Sequence, residues 1–473
     1  MTEPRDEFES WLEREVEPLQ PPPGTFEQII KRARRRKRRR ALLSAASAGA
    51  AAAVIVVAAV TLPRMMPSVL HPSPSNPAGN ATSATSQPSS PQAQPSQRTQ
   101  ATGTPASTLP SVPPNFAATS VTFVGPQTGW LIGQAGTPGH CGASGTSDIC
   151  TSMARTDNAG GSWSGLPAPA TGPPDGASGV SQVRFLNLSD GWAYGPQLWA
   201  THDGGQTWTQ VSTGGLRVIS LETVGTAAFA VFAQCSGSGP DFAANCTRFY
   251  LYVSGPAEDH WHPVPGVASA SGASGPLGVT GAASSSVLVL TSQRGYWYQP
   301  DGTLLGGPIT GTAPWTAVSR AALPCVPGAP QPDGRPSGGQ LAAATSESLA
   351  LACPGGGAAG AASGQESETI YASSDGGSTW QQKGQLSAPG AVTSLAAGSG
   401  GQLVLGSTGG LSASADNGAT WKLGQSGPPG GFSYAGLTYP TQGVAVPAVA
   451  SQDAVWFTFN GGLTWRRSSI KNG

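Results

Sequence analysis

From residue 116 onward, apolar and polar residues alternate in runs of four to six positions, each run closed by glycine. Val121-x-Phe123 precedes Gly129-Trp130, and Val183-x-Phe185 precedes Gly191-Trp192 at the same spacing; Leu437-x-Tyr439 and Gly443-Val444 repeat the arrangement two residues shorter. A period of two bounded by glycine predicts short antiparallel strands joined by tight turns. The pattern changes upstream. Residues 41–62 carry no charge at all, and residues 63–114 hold 12 prolines with no apolar period.

An internal repeat organises the strand-rich part. Four segments align without gaps: Thr201-His202-Asp203-Gly204-Gly205-Gln206-Thr207-Trp208, Ser373 to Trp380, Ser414 to Trp421, and Thr458 to Trp465. A fifth, Arg155 to Trp163, fits with one extra residue when Asp157 is taken as its acid. The motif is Ser/Thr-x-Asp-x-Gly-x-Thr-Trp. Its Asp or Asn (Asp157, Asp203, Asp375, Asp416, Asn460) can accept hydrogen bonds from the turn it starts. Glycine two positions later (Gly205, Gly377, Gly418, Gly462) can take the positive φ of a tight hairpin. Tryptophan (Trp163, Trp208, Trp380, Trp421, Trp465) then opens the outgoing strand with a large apolar surface. Two strands before each turn and one on either side of it make four per repeat, the content of one propeller blade. Trp163, Trp208, Trp261, Trp315, Trp380, Trp421 and Trp465 stand 45, 53, 54, 65, 41 and 44 residues apart, which predicts seven blades. The middle repeats are degenerate, since Ser254 to Trp261 lacks the glycine turn and Asp301-Gly302 stands far from Trp315, and a different parsing there leaves six or eight blades open.

These turns resemble the Asp-box, or BNR, repeat of sialidases, sortilin-type receptors and photosystem II assembly and stability factors. The Gly-Trp-x-x-Gly signatures at Gly129–Gly133 and Gly191–Gly195 are most similar to the last group. The resemblance implies an all-β seven-bladed propeller over residues 116–473, with the boxes at its rim, away from the central face. It also implies two activities to weigh. A sialidase needs three arginines for a carboxylate, a tyrosine nucleophile raised by a glutamate, and an acid/base aspartate. The Arg-Ile-Pro motif that carries the first arginine in sialidases is missing, while Arg184, Arg217, Arg248, Arg294 and Arg320 are scattered along the chain. The expectation is therefore a non-catalytic docking disc for a protein or a cell-envelope glycan, with an exo-sialidase-like glycoside hydrolase as the alternative. No catalytic residue, cofactor or metal ligand is assigned; His260 and His262 share one strand face without a third ligand nearby.

Composition and charge fix the setting. The chain has 25 Lys+Arg and 25 Asp+Glu, yet residues 1–40 hold 11 of the bases, nine of them crowded into Lys31 to Arg40. The body from 116 keeps 12 bases and 17 acids, which gives no basic surface for nucleic acid. The uncharged 41–62 stretch is long enough to cross a hydrocarbon core of about 30 Å. The cationic block beside it predicts a single-pass anchor with residues 1–40 cytoplasmic and the disc outside. A cleaved signal peptide fits less well, since its apolar region spans only ~7–15 residues. Residues 63–115 read as a disordered Pro/Ser/Thr-rich stalk, with a reach between about 40 Å coiled and roughly 160 Å extended. The six cysteines fall in near-neighbour pairs, Cys141 with Cys150, Cys235 with Cys246, and Cys325 with Cys353, consistent with three disulfides in an oxidising space. A short amphipathic stretch around Glu9 to Glu13 offers a third role, contact with a cytoplasmic protein.

Overall fold

A computed structural model describes residues 110–135, 150–237, 246–267, 286–318, 323–325, 327, 339–355, 367–449 and 453–470, together with the backbone of 270–271 and 366. All of them belong to the unit Thr102–Gly473. The expected cytoplasmic segment, membrane span and most of the stalk lie outside the described residues, as does Cys141. Among the described residues no helix is long and apolar enough to cross a membrane.

The strands form seven antiparallel sheets, each a meander of four consecutive strands. The first sheet is β1 (Ala117–Phe123), β2 (Gly129–Ala135), β3 (Cys150–Thr156) and β4 (Ser164–Leu166). The second is β5 (Gln182–Phe185), β6 (Gly191–Tyr194), β7 (Leu198–Thr201) and β8 (Thr209–Gln210). The third is β9 (Arg217–Val224), β10 (Ala227–Cys235), β11 (Cys246–Ser254) and β12 (His262–Pro263), with a two-residue β13 (Ala270–Ser271) also paired to β11. The fourth is β14 (Val287–Leu290), β15 (Arg294–Tyr298), β16 (Leu304–Pro308) and β17 (Thr316–Ala317). The fifth is β18 (Gln340–Ala343), β19 (Leu349–Pro354), β20 (Glu366–Ser373) and β21 (Gln381–Ala388). The sixth is β22 (Val392–Ala397), β23 (Leu403–Ser407), β24 (Gly410–Ser414) and β25 (Lys422–Ser426). The seventh is β26 (Phe432–Leu437), β27 (Gly443–Pro447), β28 (Ala454–Thr458) and β29 (Arg466–Ser469). Each of the seven spaced tryptophans stands immediately before the fourth strand of its sheet, so their intervals did mark the blades.

Seven apolar clusters hold the ring, one at each seam between neighbouring sheets. Successive residues of a middle strand feed opposite seams. Trp130 and Ile132 pack toward the second blade while Leu131 between them packs toward the seventh. Middle strands are therefore buried on both faces, which is why β10 reads as the near-continuous apolar run Ala-Ala-Phe-Ala-Val-Phe-Ala. The first strands face one another around the axis and would expose an unpaired edge. Neighbouring hydroxyls cap it: Ser120 Oγ and Thr122 Oγ1 accept from the Val183 and Phe185 N–H groups, and Ser394 Oγ accepts from Ala435 N–H.

Because each blade is sequence-consecutive, the ring closes between the seventh and first blades through side-chain and loop contacts. Val112 and Phe116 pack there with Val455, Phe457 and Ile470. Phe123 meets Phe457 edge-on at 5.8 Å, Gln442 Nε2 donates to the Pro126 carbonyl, and Gly165 N–H donates to that of Pro110. The segment through 110–116 is thus a clasp across the seam.

Candidate functional site

The repeated turns come first because the sequence singles them out. In five of them a buried hydroxyl sits at the centre: Thr156, Thr201, Ser373, Ser414 and Thr458. Each donates to an Asx Oδ1 two residues on, at 2.7–3.0 Å, and accepts the N–H of a glycine four residues on, at 2.8–3.0 Å. The same Oδ1 accepts the N–H of the residue before the tryptophan. In the first blade this acceptor is Asn158 and the glycine is Gly160, so no extra residue is present. The expected Asp157 points elsewhere: it pairs with Arg155 at 2.9 Å and accepts from Thr128. Two adjacent residues, Asp157 and Asn158, both satisfy an Asx pattern, and only the spacing to the glycine separates them.

Aspartate is held charged in these turns. At Asp375 and Asp416 the hydroxyl and N–H of Thr379 and Thr420, then the serine hydroxyls, bring the carboxyl down to about 2. At Asp203 slight burial opposes the shift, but Thr207, Thr201 and Gln206 outweigh it and the value is again about 2. Asn460 keeps the same geometry without charge, its Nδ2 donating to Thr464 Oγ1 at 2.8 Å. All these groups are consumed by the turn.

Two further features of the turns went unread in the sequence. The residue before the second glycine donates its N–H to the carbonyl of the same blade's first turn: Ala159 to Gln127, Gly204 to Ser189, Gly376 to Glu347, Asn417 to Gly401 and Gly461 to Thr441. The glycine itself touches the preceding blade. A Cβ added at Gly160, Gly377, Gly418 or Gly462 would lie 2.3, 2.8, 2.4 or 2.6 Å from Phe457, Leu304, Ile370 or Val404, and one at Gly205 would lie 3.5 Å from Leu166. All five also have φ between +78° and +96°, so glycine is required twice over at the first four and by the backbone alone at Gly205. Of the tryptophans, Trp380, Trp421 and Trp465 donate Nε1 to the glycine carbonyl of their own turn, whereas Trp208 donates to Pro167. Trp163 is buried in the seventh-to-first seam.

The hub is the second candidate. Arg184 on β5 pairs with Glu222 on β9 at 2.9 Å and also donates to Ser120 Oγ and the Val183 carbonyl. Burial opposes its charge, but the Glu222 carboxylate outweighs it and holds the guanidinium firmly protonated. Burial pushes Tyr194 up to about 12, and it donates to the Leu221 carbonyl. Burial likewise raises Tyr434. A sialidase-like site would gather three guanidiniums here. Arg155 instead pairs with Asp157 in its turn, Arg217 donates to the Gly237 carbonyl, Arg294 lies over Tyr296 and Arg248 is exposed on β11; Arg320 lies outside the described residues.

The other expected groups fall apart in space. His262 is exposed and turns Nδ1 toward the His260 carbonyl, and no group of three or more His, Cys, Asp or Glu suited to a metal occurs among the described residues. Asp301-Gly302 forms the turn between β15 and β16, at the opposite end of the blade from the repeated turns, where Asp301 accepts from Thr303 N–H. Cys235–Cys246 and Cys325–Cys353 are disulfides, and Cys150 is disulfide-bonded as well. A cavity of about 510 Å³ beside the clasp is lined by Val112, Pro114, Phe116, Ile470 and one carboxylate, Asp453.

No protein-family model matches the chain, and no curated protein matches it. Among solved structures it is similar to YCF48 bound to D1 peptide, at 15% identity over 62% of this chain and 82% of that one, with a TM-score of 0.38. An ancestral GH74 enzyme is similar at 14% identity over 75% of this chain and 46% of that one, TM-score 0.43. The GH93 α-L-arabinofuranosidase of Fusarium graminearum is similar at 12% identity over 76% and 96%, TM-score 0.38. Likenesses this distant leave the fold to be read from the chain's own strands: an all-β propeller of seven four-stranded blades.

Proposed function

We propose that the chain is a membrane-anchored, extracytoplasmic propeller acting as a non-catalytic binding or assembly module. The observation that carries this reading is the commitment of the hub: its arginine is neutralised by Glu222, and its tyrosines are held protonated by burial. A tyrosine nucleophile needs the opposite shift. The turn aspartates are equally committed, each to its own turn.

The seventh blade offers a surface for a partner. Tyr439 (55% exposed), Phe459 (47%) and Leu463 (44%) stand on its two adjoining turns, linked by the Gly461 to Thr441 hydrogen bond, and Arg466 lies over the Phe459 ring. Exposed aromatics with a flanking arginine suit protein or glycan contact. The charge block at 31–40 and the uncharged 41–62 stretch support the anchor, and the cysteine pairing supports an oxidising exterior.

Full-length protein in detergent should bind an isolated cell-envelope fraction saturably, with affinity reduced about tenfold or more by Phe459→Ala. It should release no fluorophore from sialoside or arabinofuranoside substrates. Turnover of either glycoside at enzymatic rates would replace this reading with the hydrolase.

A further inference from the structure

The seams of the ring are not alike. At six of them a glycine of one blade's turn between its third and fourth strands reaches the blade before it. In the fourth blade Gly311 does this, since a Cβ there would lie 2.8 Å from Val253 of the third. The seam between the second and third blades is the exception. Ser254 still occupies the buried hydroxyl position, but it bonds the Glu258 carbonyl, and the glycine position is filled by Glu258 itself. Gly255, the glycine nearest that turn, has Glu258 as its neighbour and does not reach the second blade. The seam also loses a hydrogen bond that its neighbour has. Trp130 of the first blade donates Nε1 to Gly204 in the second blade's turn, whereas Trp192, the same residue of the second blade, has no partner for its buried Nε1 among the described residues. Trp261 Nε1 and Asp259 Oδ1, at the same seam, are also buried without partners among the described residues.

Arg184 and Glu222 tie this seam at the hub; at its rim the spanning residue is His202, the second residue of the second blade's turn. Its Nδ1 lies 2.9 Å from Asp190 Oδ1 in the β5–β6 turn, and its Nε2 lies 3.3 Å from Asp259 Oδ2 in the β11–β12 loop. A neutral imidazole has one N–H and one lone pair, so it satisfies one carboxylate and repels the other. Only the imidazolium donates to both. Asp190 is fixed in place by Asn187, whose Nδ2 donates to its other oxygen at 2.7 Å, so it cannot turn away freely.

We infer that the rim of the seam between the second and third blades is a pH-sensitive joint, latched by His202 as the imidazolium and loosened when that proton is lost, while Arg184 and Glu222 hold the seam at the hub. The charged groups around it are Asp190 and Asp259, which face it, Asp203, whose carboxylate is turned into its own turn, and Glu258 and His260 on the opposing loop. Slight burial works against protonation, but the hydrogen bonds and charges of Asp190 and Asp259 raise the His202 value above that of a free histidine. The sign follows: the latch is complete below the ordinary histidine range and is lost as pH rises through the raised value. Loosening frees residues 255–261 and uncovers the rings of Trp192 and Trp261, which meet edge to face across the seam with centroids 6.0 Å apart.

Amide hydrogen exchange on the full-length protein tests this. Protection of 254–261, corrected for the intrinsic rate, should fall about tenfold between pH 6 and pH 9, while the equivalent turn at 414–421 keeps its protection. In His202→Gln protection of 254–261 should start low and stay constant with pH; in Asp259→Asn, whose amide can accept from the imidazolium and donate to the neutral ring, it should likewise stay constant with pH. Asp259→Asn keeps shape and fold, so it decides the matter if the histidine variant does not fold. Equal protection at both pH values in the wild type, or an unchanged pH response in Asp259→Asn, overturns the inference.

Discussion

A glycine in these turns answers two demands at once, and the two can be separated. Gly418 combines φ +86° with a neighbour, Ile370 Cγ2, that a Cβ would approach to 2.4 Å. Gly400 has φ +74° and open space around it. Gly400→Ala should therefore cost only the left-handed backbone penalty, about 1–2 kcal/mol. Gly418→Ala should cost roughly 3–5 kcal/mol, because overpacking of the seam adds to it. Urea unfolding of the two variants measures the difference; equal losses would mean the turn does not brace the ring. The aspartates carry a second residue-scale signature. With values near 2 against 3.8 for a free side chain, Asp203, Asp375 and Asp416 stabilise the fold above about pH 4 and lose that contribution as pH falls toward 2. Asn460 shows that asparagine fits the same turn. The Asp375→Asn/Asp416→Asn variant should accordingly show a smaller fall in Tm between pH 4 and pH 2 than the wild type. An identical fall would place the acid sensitivity elsewhere.

At the scale of strands, the ion pair between Arg184 on β5 and Glu222 on β9 ties two first strands at the axis. Removing one partner leaves a largely buried charge unpaired, so Glu222→Ala should cost about 3 kcal/mol. Replacing both, as in Arg184→Met/Glu222→Leu, should recover most of that loss. A double variant weaker than the single one would show that the pair contributes more than mutual neutralisation. Strand-level structure was also the most legible part of the sequence. The spaced tryptophans each precede a fourth strand, and the Gly-Trp pairs open β2 and β6 as the spacing predicts. Alternation was only half of the signal, since Trp130, Leu131 and Ile132 are all buried, Trp130 and Ile132 in one seam and Leu131 in the other. What stayed hidden was contact across blades. Arg184 looks like any isolated arginine in sequence, and its partner stands 38 residues away on another blade. His202 occupies a variable position of the repeat, and nothing local marks Asp259 as its counterpart.

At the scale of the whole molecule, the turns, the hub and the seven seams work as a frame, and the proposed activity belongs to surfaces that the frame leaves free. The seventh blade concentrates such surface. Its turn has asparagine where three other turns carry an exposed anionic aspartate, and its Phe459 and Leu463 project beside Arg466. The measurement that bears most directly on this account is site-specific photo-cross-linking in intact cells, with a benzophenone side chain replacing Phe459 and, as a control, Thr209 on the outer strand of the second blade. The account predicts a discrete adduct from position 459 that is absent from 209 and weakened by Arg466→Glu. No adduct from 459, or the same adducts from both positions, would contradict it.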